Sequence, residues 1–204
     1  MSRNYIRKIL FDTDTPTSGN SEVVELDGCD VGTLQIIAGA VEAADTFQQA
    51  DVNIANDTVT LTGHTYYTGV VGQLTTTGTL PAGLSLATNY WIIEVDDNTV
   101  KFATSLANAQ AGTAVDITST GSGGATHTFT PSAKSGSIQP QVTNVDNPAE
   151  ADWISKGSAT TLTGAAQNVA TEYDRKEVSY SRFRVKYTHT TGSFDFRVYV
   201  NFKE

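Results

Sequence analysis

Arg182–Lys203, RFRVKYTHTTGSFDFRVYVNFK, alternates apolar and polar residues on both sides of a Thr190-Thr191-Gly192-Ser193 turn. Phe183, Val185 and Tyr187 share one side of the first run, opposite Arg182, Arg184 and Lys186. Phe194, Phe196, Val198, Val200 and Phe202 share one side of the second, opposite Asp195, Arg197, Tyr199, Asn201 and Lys203. Alternation at period two marks a strand with one face buried and the other wet. The stretch therefore reads as the closing hairpin of an antiparallel sandwich. Each buried apolar side chain should contribute about 1.5–3 kcal/mol before entropy.

Upstream, Ile138, Pro140 and Val142 alternate with Gln139, Gln141 and Thr143. Pro140 cannot donate a ladder hydrogen bond, which predicts a sheet edge. Trp153 and Ile154 mark a short strand, and Leu162 anchors a small, polar stretch. Ser21–Leu26 alternates, Asp27-Gly28 and Gly32 punctuate turns, and Thr33–Ile37 resumes as a strand. Ala38–Ala50, AGAVEAADTFQQA, is the best helix candidate of this part, weakened by Gly39, and reads alternatively as a strand with a linker. These runs lack partners unless they pair with each other across the block between them. The expected fold is all-β: a discontinuous, jelly-roll-like antiparallel sandwich, 21–49 with 132–204, with an inserted small β domain, 50–131.

Residues 1–20 read as an N-terminal arm and linker. Tyr5, Ile6, Arg7, Ile9, Leu10 and Phe11 form a basic, apolar opening, followed by the polar DTDTPTSGN. Such an opening either reaches a neighbouring subunit or forms a strand of the same sheet.

Within the inserted block, Val59 and Leu61 alternate with threonines, and Leu80-Pro81-Ala82-Gly83-Leu84 makes a turn. Tyr90–Val95 and Thr99–Ala103 flank the hairpin signal Asp96-Asp97-Asn98. SLANAQ (105–110) predicts one or two helical turns stopped by Gly112. Ala114–Ile117 and Ala125–Phe129 read as closing strands.

The chain has 204 residues, enough to bury a core without disulfides or metals. Its net charge is −9 and its pI about 4.7, which argues against nucleic-acid binding, since that requires a basic patch. Lys101 is the only base between Ala50 and Pro131, whereas Arg175, Lys176, Arg182, Arg184, Lys186, Arg197 and Lys203 follow Glu172. An acidic module thus contrasts with a basic C-terminal region. Cys29 is the only cysteine, so no intrachain disulfide is possible. No apolar stretch approaches a membrane span, and the N-terminal apolar run is too short for a signal peptide.

Motifs with catalytic or cofactor chemistry are missing from the sequence: there is no phosphate-binding glycine loop, no HExxH and no CxxC. No cofactor, catalytic or metal residue is assigned. His64, His127 and His189 are isolated, and Asp96-Asp97-Asn98 is explained by a turn as well as by Ca²⁺ ligation. Tyr66, Tyr67, Tyr90 and Trp91 are candidate sugar-stacking aromatics. Alternation places only half of them on one face, which leaves Tyr66 and Trp91 as possible glycan contacts.

The block resembles a β module that recurs in structural proteins of tailed bacteriophages. The matching residues are Val59-Thr60-Leu61, His64, Thr68-Gly69, Leu80-Pro81-Ala82-Gly83-Leu84, Asn89-Tyr90-Trp91-Ile92-Ile93, Asn98-Thr99-Val100-Lys101-Phe102-Ala103, Ala109, Ala111-Gly112-Thr113 and Thr126-His127-Thr128-Phe129. Val70-Val71-Gly72 stands where that module more usually has an acidic Gly-Asp step. The surrounding sandwich is similar, more loosely, to those of phage decoration and fibre proteins. The resemblance implies a non-enzymatic virion structural protein on the particle's outer surface, assembled in the host cytoplasm. Capsid decoration (cement) is the expected role, with a tail, collar or fibre component as the alternative and a carbohydrate-binding module or enzyme as a third reading. Expected partners are the major capsid protein or neighbouring virion proteins and further copies of the chain, a trimer being plausible, with no nucleic acid and no membrane. Tyr5, Ile6, Arg7, Ile9, Arg182, Arg184, Lys186 and Arg197 are the expected partner contacts.

Overall fold

The computed structural model describes residues 5–13, 18–26, 29, 31–173, 180–193 and 195–203, with backbone alone for 5–7, 11–13 and 31. The chain divides into two compact units, Met1–Ala40 with Lys134–Glu204, and Val41–Ala133. The first unit begins with β1 (Tyr5–Thr13), β2 (Gly19–Asn20), β3 (Val24–Glu25) and β4 (Val31–Ala38). The second comprises β5 (Asp45–Phe47), β6 (Val52–Asn53), β7 (Thr58–Thr60), β8 (Val71–Thr76), β9 (Asn89–Asp96), β10 (Thr99–Ala103), the helix α1 (Leu106–Gln110) and β11 (His127–Pro131). The first then resumes with β12 (Ser135–Thr143), β13 (Ile154–Ser155), β14 (Thr160–Leu162), β15 (Gln167–Tyr173), β16 (Arg182–Thr191) and β17 (Phe196–Lys203).

The first unit is a β-sandwich with jelly-roll wiring. One sheet runs β1-β17-β4-β15. In the other, β13 and β14 both flank β12, which pairs with β16, and β2 and β3 flank β16. If β2 with β3, and β13 with β14, count as one strand each, the two orders are 1-8-3-6 and 5-4-7-2. Every connection except the fourth to the fifth crosses between sheets, the double Greek key of a jelly roll. The second unit is inserted between the third and fourth of these strands, β4 and β12. The inner faces share one core: Leu34, Ile36, Val198 and Val200 from one sheet, and Ile138, Val142, Phe183, Val185 and Tyr187 from the other. Aromatic rings interlock across it, with Phe183 and Phe202 at 5.4 Å.

The ladders correct some expectations and decide between others. The C-terminal strands do not form a hairpin: β16 pairs with β12, and β17 with β1 and β4. Alternation reports one buried face per strand and is silent about the ladder partner, so a corner between sheets reads like a hairpin. Of the two readings of Tyr5–Thr13, the strand of the same sheet is the one observed. It pairs along β17 with a bulge between Ile9 and Phe11, and Leu10 is buried in the core. Pro140 lies in an interior strand. Its carbonyl accepts the Lys156 N–H at 2.8 Å, and N and O of one strand residue point the same way. The missing donor therefore faces the gap between β14, which pairs with 136–138, and β13, which pairs with 141–142. Ala38–Ala50 is not a helix: Ala38 ends β4, and Asp45–Phe47 is a strand paired with β11, held by Phe47 in the core of the second unit.

The second unit is one antiparallel sheet in the order β5-β11-β8-β9-β10-β7-β6. A flat sheet of seven strands would hold its edges about 29 Å apart. The edge strands β5 and β6 are joined by Gln48–Asp51, which span at most roughly 18 Å, so the sheet must curl. Phe47, Val59, Leu74, Tyr90, Ile92, Phe102 and Phe129 fill its inside. α1 is capped by Ser105, whose hydroxyl oxygen accepts the Asn108 N–H at 3.1 Å. Ala109 of that helix covers Trp91, Ile93 and Ala103 on the opposite face. The β9–β10 turn closes with Asn98 N–H donating to Asp96 Oδ1 at 2.9 Å. The expected strand at Ala114–Ile117 is absent from the ladder, although Val115 N–H donates to Phe102 O at 2.7 Å.

Candidate functional site

The best-defined polar cluster is the basic row of β16. In register with β12, Lys186 lies opposite Gln139, Arg184 opposite Gln141 and Arg182 opposite Thr143. These three bases point away from the core because Phe183, Val185 and Tyr187 point into it. All three already bond acids of the frame, and the Lys186 side chain alone stays substantially exposed, at 42%. Arg184 is 6% exposed. Its Nε donates to Gln141 Oε1 at 2.8 Å, its Nη2 meets Glu150 Oε2 at 2.6 Å, and its guanidinium lies 4.3 Å from the centre of the Trp153 ring. The same carboxylate takes Lys186 Nζ at 3.0 Å and Asn20 Nδ2 at 3.3 Å. The Arg184 bond, with Lys186 second, holds the Glu150 carboxyl below its usual range. Arg182 Nε bonds Glu25 at 3.1 Å and its Nη1 bonds Asp146 at 2.7 Å. The Asp146 bond raises the Arg182 pKa above its usual value. The segment between β12 and β13 thus folds over the row and neutralises it.

Arg197 is not part of this row. It alternates with the buried Phe196 and Val198 on β17, so it faces outward from the other sheet. There it lies opposite Ile37 in the ladder, and Ile9 lies opposite Tyr199. Ile9 is 52% and Ile37 38% exposed. The side chains of Tyr5, Ile6 and Arg7 lie outside the described residues. The bases expected to contact a partner are therefore split between the outer faces of two sheets, since the strands carrying them belong to different layers.

The glycan candidates are also separated. Tyr66 is 2% exposed, and its hydroxyl donates to Ala43 O at 2.7 Å. Burial first, then Asp45, pushes that hydroxyl's pKa well up. Tyr66 is a core residue of the second unit and cannot stack a sugar. Trp91 is half-buried against the α1 cluster on the opposite face. A shallow groove of about 280 Å³ lies along Thr76, Thr79, Leu80, Leu84 and Leu86, and sequence reading gave no signal for it. Glu150, Gln141 and Trp153 were missed as partners of the basic row. Only their place in the three-dimensional register joins them, with Glu150 standing 34 positions from Arg184. Among the described residues, no group of three or more His, Cys, Asp or Glu could hold a metal ion.

No protein-family model matches the chain, and no curated protein matches it in sequence. Among solved structures, it is similar to VP17, a capsid protein of bacteriophage P23-77, at 9% identity and a TM-score of 0.25, over 100% of this chain and 97% of that one. It is also similar to the VP16-VP17 complex, a complex of the two major capsid proteins of the same phage, at 9% identity and a TM-score of 0.26, over 100% of both chains. TM-scores of this size carry no assignment of fold or function.

Proposed function

We propose that this chain is a structural protein of a tailed-phage virion, a decoration protein that binds the major capsid protein on the head exterior and bridges neighbouring capsomers. The observation that carries this reading is the jelly-roll wiring of the first unit, an architecture used by viral capsid domains, although also by lectins and cupins. That support is an analogy of fold. The phage-like residues of the inserted unit, from Val59-Thr60-Leu61 to Thr126-His127-Thr128-Phe129, narrow it. The docking face in this reading is the outer surface of β1-β17-β4-β15, with Ile9, Ile37, Arg197 and Tyr199. Arg182, Arg184 and Lys186 serve the frame itself. Copies of the chain, three by preference, would meet where capsomers adjoin.

The copy number per purified virion, measured by quantitative mass spectrometry against the major capsid protein, tests the role. A ratio near one per capsid subunit, or one per three, supports decoration. About a dozen copies per particle moves the protein to the tail or collar, and absence from virions overturns both. Ile9→Asp with Arg197→Glu, which leave the core untouched, should release the protein from heads while it stays folded. Unchanged binding would overturn the proposed docking face.

A further inference from the structure

His127 opens β11 and faces the interior of the second unit, in register with Phe47 on one side and Thr76 on the other. It is fully buried, and its ring lies 5.0 Å from that of Phe47. Its Nδ1 stands 2.7 Å from Thr76 Oγ1, an oxygen that already accepts the Gly78 N–H at 3.1 Å. Its Nε2 has no hydrogen-bond partner among the described residues. Few charges surround it. β5 carries one ionisable residue, Asp45, in register with Phe129 one row away. β8, VGQLTT, carries none. Asp51, beyond β5, is taken by the Gln48 N–H at 2.8 Å. Phe102 of β10 packs behind Phe47 at 6.3 Å, and its neighbour Lys101 alternates to the other face.

A proton on this imidazole would create a buried cation with no carboxylate beside it, an arrangement that is unfavourable unless the structure opens. Burial accordingly lowers the His127 pKa from its usual 6.5. The sign follows: the unfolded chain takes up the proton first as pH falls, so stability is full above about pH 6.5 and declines below it. In the jelly roll, the His189 ring is partly exposed and bonded through Nε2 to Gly192 O at 2.7 Å.

We propose that the inserted unit is a pH-sensitive element, in which protonation of His127 opens the β5–β11–β8 end of its sheet in mild acid while the jelly roll stays closed. Hydrogen–deuterium exchange of the intact chain, compared at pH 7.5 and 5.0 after correction for intrinsic rates, tests it. Protection of β5, β8 and β11 should fall about tenfold or more, with β12 and β16 unchanged. His127→Phe should abolish that loss, and His64→Gln should leave it. Constant protection in the native chain, loss in both units alike, or loss persisting in His127→Phe would overturn the proposal. Should His127→Phe fail to fold, the side-chain NMR titration of native His127 decides: a midpoint clearly below about 6.5 supports it, and one at or above overturns it.

Discussion

The rings of Tyr187 and Phe196 stand 4.7 Å apart across the two sheets of the jelly roll, although only one corner separates their strands in sequence. The corner works because Gly192 takes a φ of 72°, a left-handed conformation that favours glycine. Phe196→Ala should destabilise the first unit by about 3–5 kcal/mol in urea unfolding, the usual loss for a buried aromatic.

Tyr187 also sets an alkaline limit. Burial pushes its hydroxyl up to about 12, so the fold favours the neutral phenol. The unfolded chain ionises first, near pH 10, and stability should fall as pH rises from there. Ultraviolet titration should show one tyrosine ionising near 12, and Tyr187→Phe should remove both that step and its share of the alkaline loss.

Gly32 and Phe202 face each other in the ladder of β4 and β17, and a Cβ at Gly32 would clash with the edge of the Phe202 ring. Gly32→Ala should cost about 1–3 kcal/mol through overpacking. Combining it with Phe202→Leu should cost less than the two changes added, with a coupling of roughly 0.5–3 kcal/mol in a double-mutant cycle.

Glu150 should shape the acid limb of the first unit. Its lowered pKa means that its contribution is present above the ordinary 4.5 and lost as pH falls through the folded value. Glu150→Gln should flatten the stability profile below about pH 4.5. Arg184→Ala should lower the urea midpoint of the first unit mainly through lost packing on Trp153, because the Glu150 left behind is half exposed and solvated.

The two units can be followed separately, since Trp91 and Trp153 are the only tryptophans and each unit holds one. The cut ends of the frame are already together: Lys134 Nζ donates to Ala40 O at 2.8 Å. Replacing 41–133 by a short Gly/Ser turn should leave a cooperative unfolding transition reported by Trp153 fluorescence. Loss of that transition would mean that the frame needs the insert to fold.

What the sequence made legible was the period of each strand. Phe183, Val185 and Tyr187 enter the core as their spacing requires, and SLANAQ forms its helical turn. Partners were not legible, because period two is the same for a hairpin and for a sandwich corner. Arg197 was therefore grouped with Arg182, Arg184 and Lys186, although its strand lies in the other sheet. Tyr66 was read as a surface aromatic because nothing local records that Ala43 and Phe129 enclose it. The basic row looked open because its acids, Glu25, Asp146 and Glu150, lie in other segments.

The pairing of β1 with β17 places the earliest described strand of the chain against the latest. On the ribosome, β1 must wait for β17, its one ladder partner among the described residues, to emerge, whereas the inserted unit has all its described strands at hand by Pro131. Closing loops this long before the contacts form is slow, and domains complete themselves in the order they are made. The insert should therefore be a finished body while the sheets around it are still open, and the frame should assemble in a single late step.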